Sequence, residues 1–296
     1  MLEALAAAPE VTLVAVVTAM PRPSGRSAVV APTPVGACAA QLGLQILAPD
    51  RLREPAVVAG LAALRPGIGI LADFGKLLPQ AVLDLPPRGI LNLHPSLLPR
   101  HRGATPIPAA ILAGDAATGV TLFRMDAGMD TGPIVASESI PLAADADAPA
   151  LEAWLAAVAA GLLRRTLGPW LRGTLPAAAQ SPDGVSATRP FRREDGRLDA
   201  TRSAAALERQ VRALRPWPGT FVDAGGGRIA VLRAAVVPSR EGDEPGRLVA
   251  DGAAGLALAT PDGRLQLLEV QPAGGRPMDG GALLRGRPGL VGTRVG

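Results

Sequence analysis

Two histidines, an asparagine and an aspartate carry most of the chemistry open to this chain. His94 and His101 are its only histidines, and both stand in NLHPSLLPRHRGATPI, residues 92–107. Asn92 precedes His94 by two residues, and Asp130 stands in MDAGMDTGPI, residues 125–134. An amide, an imidazole and a carboxylate can together run an acyl transfer without a covalent intermediate. The amide and imidazolium donate to the oxyanion as it forms, while the carboxylate orients the imidazole and relays a proton through water. One such donor contributes roughly 3–4 kcal/mol in the transition state. Each residue also has a plainer use: Asn92 could cap a turn, Asp126 or Asp130 could begin a helix, and a loop histidine is commonly structural. A two-histidine metal site lacks a third ligand at helical spacing, and Cys38 is remote, so no metal is expected. There is no Walker loop, no glycine fingerprint after a strand and no GxSxG elbow, which removes support for nucleotide and serine hydrolysis.

The elements that must position these groups follow from periodicity. Apolar runs at 11–18, 44–47, 67–72, 89–94 and 119–125 alternate with helical patterns near 35–43 and 55–64. That order predicts an α/β domain with a doubly wound, mostly parallel sheet covered on both faces. Ligands bind such sheets beyond the carboxyl ends of the strands. GILNLH, residues 89–94, delivers Asn92 and His94 to that end on one face, with Leu93 on the other. Asp130, in the loop after the next predicted strand, is expected at a neighbouring strand tip. A long helix over about 148–171 places Leu151, Trp154, Leu155, Val158 and Leu162 on one apolar face. Residues 173–190, rich in Pro, Ser, Gly and Ala, read as an interdomain linker. Beyond it, a helix runs from a Thr201 or Ser203 cap to Pro216, followed by short strands joined by AGGG, DGAAG and PDG. These strands predict a small antiparallel β-barrel. The expected division is a catalytic domain over 1–174, a linker over 175–192 and the β-rich domain over 193–296.

Composition agrees with two globular domains: 296 residues, 48% hydrophobic and 19% charged. With no Tyr and 2% aromatic residues, the cores must be built from Ala, Val, Leu and Ile. Cys38 is the single cysteine, so no disulfide framework exists, and its helical context suits a buried inert thiol. The opening MLEALAAAPE lacks a basic leader segment and no apolar run is long enough to span a membrane, so the cytoplasm is expected. Charge is uneven. Residues 1–188 hold 13 basic and 14 acidic groups, whereas residues 189–296 hold 17 and 12. That surplus fits either an arginine-rich solvated surface or a weak footprint for a phosphate backbone.

At these residues the sequence resembles the folate-dependent formyltransferases. Their signature of Asn-x-His, then Ser-Leu-Leu-Pro-Arg, then Arg-Gly-Ala and Pro-Ile is matched by residues 92–107, and AGDAATGVTLFRMDAGMDTGPI continues the match to residue 134. The likeness runs over nearly the whole chain. It implies a Rossmann-like catalytic domain followed by an OB-like domain, and catalytic roles for Asn92, His94 and Asp130. The implied donor is formyl-tetrahydrofolate and the implied acceptor is the amino group of initiator methionyl-tRNA. Ser96, Leu97, Leu98 and Pro99 match the family's folate-contacting run. LADFGKLLP, residues 71–79, resembles its folate-pocket segment, where Phe74, Gly75, Lys76, Leu77 and Leu78 would line the pterin site through backbone groups. Residues 194–221 resemble the start of the tRNA-recognising C-terminal domain. The stretch 19–36 is similar to the inserted loop that meets the acceptor stem but keeps only Arg22 and Arg26 as basic residues. Contacts with tRNA are therefore expected from Arg22, Arg26, Arg100 and Arg102. His101 stands where the family usually has Trp and is assigned to the loop, not the reaction. The family opens with a strand and a GTPDFA-like loop, while this chain opens in what reads as the first helix, so a strand upstream of Met1 is expected. A monomer without membrane contact is implied. Related enzymes carry the same three residues, which leaves an amino-sugar nucleotide acceptor and a non-catalytic RNA- or folate-binding remnant as other readings. RALRPWPGTF, residues 212–221, favours tRNA.

Overall fold

The computed structural model describes residues 1–24, 29–252 and 255–296. The chain forms two compact units. The first comprises Met1–Pro106, Ala117–Ile140 and Ala153–Thr188; the second comprises Ile107–Ala116, Pro141–Glu152 and Arg189–Gly296. In chain order the elements begin with α1 (Leu2–Ala6), β1 (Val16–Val17), β2 (Arg22–Ser24), β3 (Val29–Ala31), α2 (Pro34–Gln41), β4 (Ile46–Leu47) and α3 (Pro55–Ala63). There follow β5 (Gly69–Leu71), α4 (Gln80–Leu83), β6 (Ile90–His94), β7 (Arg102–Gly103), α5 (Pro106–Ala113), β8 (Ala117–Arg124), β9 (Ile134–Pro141), α6 (Ala148–Leu171) and β10 (Ala187–Thr188). The remainder is α7 (Ala204–Ala213), β11 (Thr220–Ala224), β12 (Gly227–Val237), β13 (Leu248–Ala250), β14 (Leu256–Thr260), β15 (Gly263–Pro272), β16 (Met278–Asp279) and α8 (Gly280–Gly286).

In the first unit, β1 pairs with β4, β5 with β6 and β7 with β10, all parallel. Strand β6 is buried at all five positions, as expected of an apolar strand covered on both faces. Strands β8 and β9 add an antiparallel edge to it, giving the order β5-β6-β8-β9. The pairing of β6 with β8 sets His94 opposite Thr121 and Leu91 opposite Arg124. The expected apolar helix forms over Ala148–Leu171 and buries Leu151, Leu155, Ala159, Leu162, Leu163 and Leu167. Trp154 departs from the expected face: it lies past the edge of that stripe and is 44% exposed. Cys38, expected to be buried in its helix, is half-buried in α2. Among the described residues no helix is long and apolar enough to cross a membrane.

The second unit is an antiparallel sheet of order β11-β12-β15-β14-β13, with β16 on the flank of β15. Gly225 and Gly226, both at positive φ, close the hairpin between β11 and β12, where the two-residue turn requires left-handed backbone. Register shifts between Val231 and Ala234 bend the long strand β12 against β15. Helix α7 starts at Ser203, whose Oγ accepts the Ala206 N–H at 3.1 Å. Its Leu207 and Val211 join Ile229, Leu248, Leu256, Leu258, Leu265, Leu267 and Val270 in one apolar core.

Candidate active site

His94 ends β6 and is almost wholly buried. Its Nε2 lies 2.9 Å from the carbonyl oxygen of His101. A carbonyl oxygen can only accept, so Nε2 carries the proton in the neutral ring and Nδ1 keeps its lone pair. Nδ1 faces Asp130 Oδ2 at 3.7 Å, beyond direct hydrogen-bond length. Burial pulls the His94 imidazole below its ordinary pKa. The Asp130 charge and the bond to the His101 carbonyl push it back up, and the neighbouring His101 ring lowers it. The result is an imidazole kept neutral at rest, with a carboxylate beside its open nitrogen to steady the cation when a proton arrives.

Asp130 reaches this place by a route that strand tips alone do not give. Because β8 runs antiparallel to β6, its end lies near Leu91, away from His94. Residues 125–132 make an excursion whose ends are joined by the Arg124 N–H to the Pro133 carbonyl. An Asx turn inside it, with Asp126 accepting from the Gly128 N–H and the Thr131 hydroxyl, stiffens the loop. Asp130 itself sits at φ 54°, and its Oδ2 accepts the Gly103 N–H at 2.7 Å. Gly103 has no room for a side chain: an added Cβ would stand 2.5 Å from the Thr188 carbonyl oxygen.

Asn92, two residues before His94 on β6, is buried, and its Oδ1 has no hydrogen-bond partner. Thr118 Oγ1 is the one other such buried side-chain atom among the described residues. An unpartnered buried amide oxygen is costly unless a ligand fills it. The loop after His94 is fixed from β8. Thr121 donates its hydroxyl to the Ser96 carbonyl at 2.7 Å and accepts the Leu98 N–H at 3.0 Å.

The residues expected to meet folate fall into two groups. Lys76, Leu77 and Leu78 line a cleft of about 390 Å³ together with Asp50, Arg51 and Arg53. Lys76 Nζ closes this region by donating to the carbonyls of Pro49 and Asp50 at 3.2 and 2.8 Å. Phe74 and Gly75 precede them in the loop from β5 to α4, with Gly75 at φ 69°. Ser96, Leu97, Leu98 and Pro99 lie instead on the His94 loop. Ser96 is fully buried, and its hydroxyl is donated to the Arg100 carbonyl at 2.6 Å. Of the arginines expected to meet tRNA, Arg22 lies in β2 and Arg26 falls outside the described residues. Arg100 is exposed, while Arg102 gives Nε and Nη2 to Gln180 Oε1 at 3.1 and 2.6 Å.

The segment expected as a linker contributes residues that periodicity could not find. Ser186 Oγ accepts the His101 N–H at 2.8 Å, and Gln180 Nε2 donates to the carbonyls of Asp130 and Gly132 at 2.7 and 2.9 Å. In the second unit, a cleft of about 440 Å³ is lined by Arg193, Arg215, Arg228 and Trp217, the last 57% exposed. The one sequence signal for it was RPWPGTF. Among the described residues no group of three or more His, Cys, Asp or Glu gathers in a way that could hold a metal.

An imidazole with one tethered and one open nitrogen, backed by a carboxylate and flanked by an unpartnered amide at the end of an α/β strand, is equipped for acid–base transfer of an acyl group. The formyl transferase family matches residues 2–167 and the formyl transferase C-terminal domain matches residues 190–288. The chain belongs to the formyltransferase family and is a formyltransferase enzyme. It is similar to the methionyl-tRNA formyltransferase of Roseiflexus sp. (strain RS-1), 42% identical over 295 residues that cover 100% of this chain and 91% of that protein. The methionyl-tRNA formyltransferase of Thermus thermophilus is 43% identical over 286 residues, 96% of this chain and 92% of that protein. In fold, the chain is similar to HypX from Aquifex aeolicus in complex with tetrahydrofolic acid, with a TM-score of 0.59 and 19% identity over 83% of this chain and 43% of that one.

Proposed function

We propose that this chain transfers a formyl group from formyl-tetrahydrofolate to the amino group of initiator methionyl-tRNA, acting in the cytoplasm as a monomer. Residues 1–174 carry the catalysis and residues 193–296 recognise the tRNA. The observation that carries the mechanism is the His94 ring held between the His101 carbonyl and Asp130, with Nδ1 open. The amine nitrogen adds to the formyl carbon, giving a tetrahedral intermediate with an oxyanion and a protonated amine nitrogen. Asn92 serves both: its unpartnered Oδ1 accepts an N–H of the incoming amine, and its NH2 donates to the formyl oxygen. His94 takes the amine proton at Nδ1, Asp130 steadies the imidazolium, and the proton passes to the departing folate nitrogen as the carbon–nitrogen bond breaks and the carbonyl re-forms. The folate lies along the Phe74–Leu78 loop and the Ser96–Pro99 run.

Two observations support tRNA as acceptor. The two relatives named above, which match 100% and 96% of this chain, are methionyl-tRNA formyltransferases. The second unit offers Arg193, Arg215 and Arg228 for phosphates and the exposed Trp217 for stacking on a base. Arg22, Arg26 and Arg100 are proposed to add contacts from the first unit. The test is a transfer assay with formyl-tetrahydrofolate and two acceptors, methionyl-tRNA and an amino-sugar nucleotide. Formyl-methionyl-tRNA is the expected product. Transfer to the sugar with none to the tRNA would overturn the acceptor.

A further inference from the structure

The segment 178–188 reads as a linker, yet it lies along both loops that carry the reacting groups. The Ala178 and Ile134 backbones bond to each other at 2.7 and 2.8 Å at the far edge of the Asp130 loop. Gln180 follows, and its amide is used to capacity: Oε1 accepts twice from Arg102, and Nε2 donates to the carbonyls of Asp130 and Gly132. One side chain thus clamps the His94 loop to the Asp130 loop. Further on, the Ser186 N–H donates to the Pro99 carbonyl, its carbonyl accepts the Arg102 N–H, and its hydroxyl accepts the His101 N–H. Thr188 closes the set by donating its hydroxyl to the Arg102 carbonyl at 3.0 Å while accepting the Thr105 N–H at 3.0 Å.

The two residues gripped most directly, His101 and Asp130, are both non-glycine residues in left-handed backbone, at φ 57° and 54°. That conformation persists only where neighbours hold it. At His101 it turns the carbonyl onto His94 Nε2, and at Asp130 it turns the carboxylate onto the Gly103 N–H and toward His94 Nδ1. The groups facing the His94 ring are therefore Asp130 and His101, and both are set by the same segment.

We propose that residues 178–188 form a positioning strap for the His94–Asp130 pair and that Gln180 is its principal positioning residue, acting through the Asp130 and Gly132 carbonyls and through Arg102. Ser186 is the second, acting through His101 on the proton at His94 Nε2. The kinetic arm of the test rests on the formyl-transfer reading; the spectroscopic arm does not.

In the full chain, Gln180→Ala is compared with wild type for kcat, KM for the formyl donor, thermal unfolding, and the NMR titration of His94, in a protein with two histidines. The expected result is a kcat lowered about tenfold to a hundredfold, as for a reacting group displaced by about 1 Å. KM and the unfolding temperature should stay close to wild type, and the His94 midpoint should move down because Asp130 is no longer held beside it. Gln180→Glu keeps a partner for Arg102 but sets a carboxylate against two carbonyl oxygens, so it should fall as far as the alanine variant. Where Gln180→Ala does not fold, Ser186→Ala serves: it should lower kcat and shift the His94 titration, and Ser186→Thr, which keeps the acceptor oxygen, should restore both. Wild-type kcat with an unshifted His94 titration in Gln180→Ala or Ser186→Ala, or full activity in Gln180→Glu, would overturn the strap while leaving formyl transfer standing. A shifted titration in a protein that transfers no formyl group would keep the strap and overturn the activity.

Discussion

Strands β12 to β15 of the second unit bury Ile229, Leu248, Leu256, Leu258, Leu265, Leu267 and Val270 completely, whereas residues 95–103 and 126–132 of the first unit are fixed largely by polar bonds to backbone. The sheet is held by summed apolar area, which tolerates exchange of one aliphatic side chain for another of similar volume. The loops are held by single atoms. Losing one Oγ or one amide there releases the backbone of a residue that aims a reacting group. The first kind of structure makes a stable frame, and the second sets a geometry to within a fraction of an ångström, which is what acid–base transfer needs.

The largest effect that would separate the two regions is on rate. Asp130→Asn retains an oxygen for the Gly103 N–H but removes the charge beside His94 Nδ1. We expect kcat to fall by about 10²- to 10⁴-fold with unchanged circular dichroism and unfolding midpoint. A loss smaller than tenfold would mean that the carboxylate is ornamental. The converse is expected of Leu267→Ala, in the middle of β15 and fully buried. Denaturant unfolding should report a loss of about 2–5 kcal/mol, while kcat per folded molecule keeps its wild-type value. A fall in kcat without a fall in stability would contradict the division of labour drawn here.

The same contrast governs what the sequence alone could reveal. Strand β6, helix α6, helix α7 with its Ser203 cap, and the glycine turn between β11 and β12 each follow a periodicity or a turn requirement that the residues state directly. Asn92 and His94 were legible for that reason, since alternation along β6 aims them together. Asp130 was legible as a residue but not by its route. Nothing in GVTLFRM announces that β8 runs antiparallel to β6, and an eight-residue excursion that turns on one left-handed residue, Asp130, has no pattern. Trp154 was misplaced because a broad apolar stripe drifts around a long helix, and one heptad does not fix its edge. The strap was invisible: Gln180, Ser186 and Thr188 act by side-chain bonds to distant carbonyls and N–H groups, so a Pro-, Ser- and Gly-rich stretch reads as a linker even when three of its side chains bond to the loops of the site.

The claim on which the account turns is that His94 and Asp130 work as one unit, with the ring proton parked on Nε2 and Nδ1 left open toward the carboxylate. Titrating the His94 ring nitrogens by NMR in wild type and in Asp130→Asn tests this most directly. The account predicts a neutral ring protonated at Nε2, a wild-type midpoint below that of an ordinary histidine because the ring is buried, and a further fall when the Asp130 charge is removed. A midpoint that does not move between the two proteins, or a neutral ring that carries its proton on Nδ1, would contradict it.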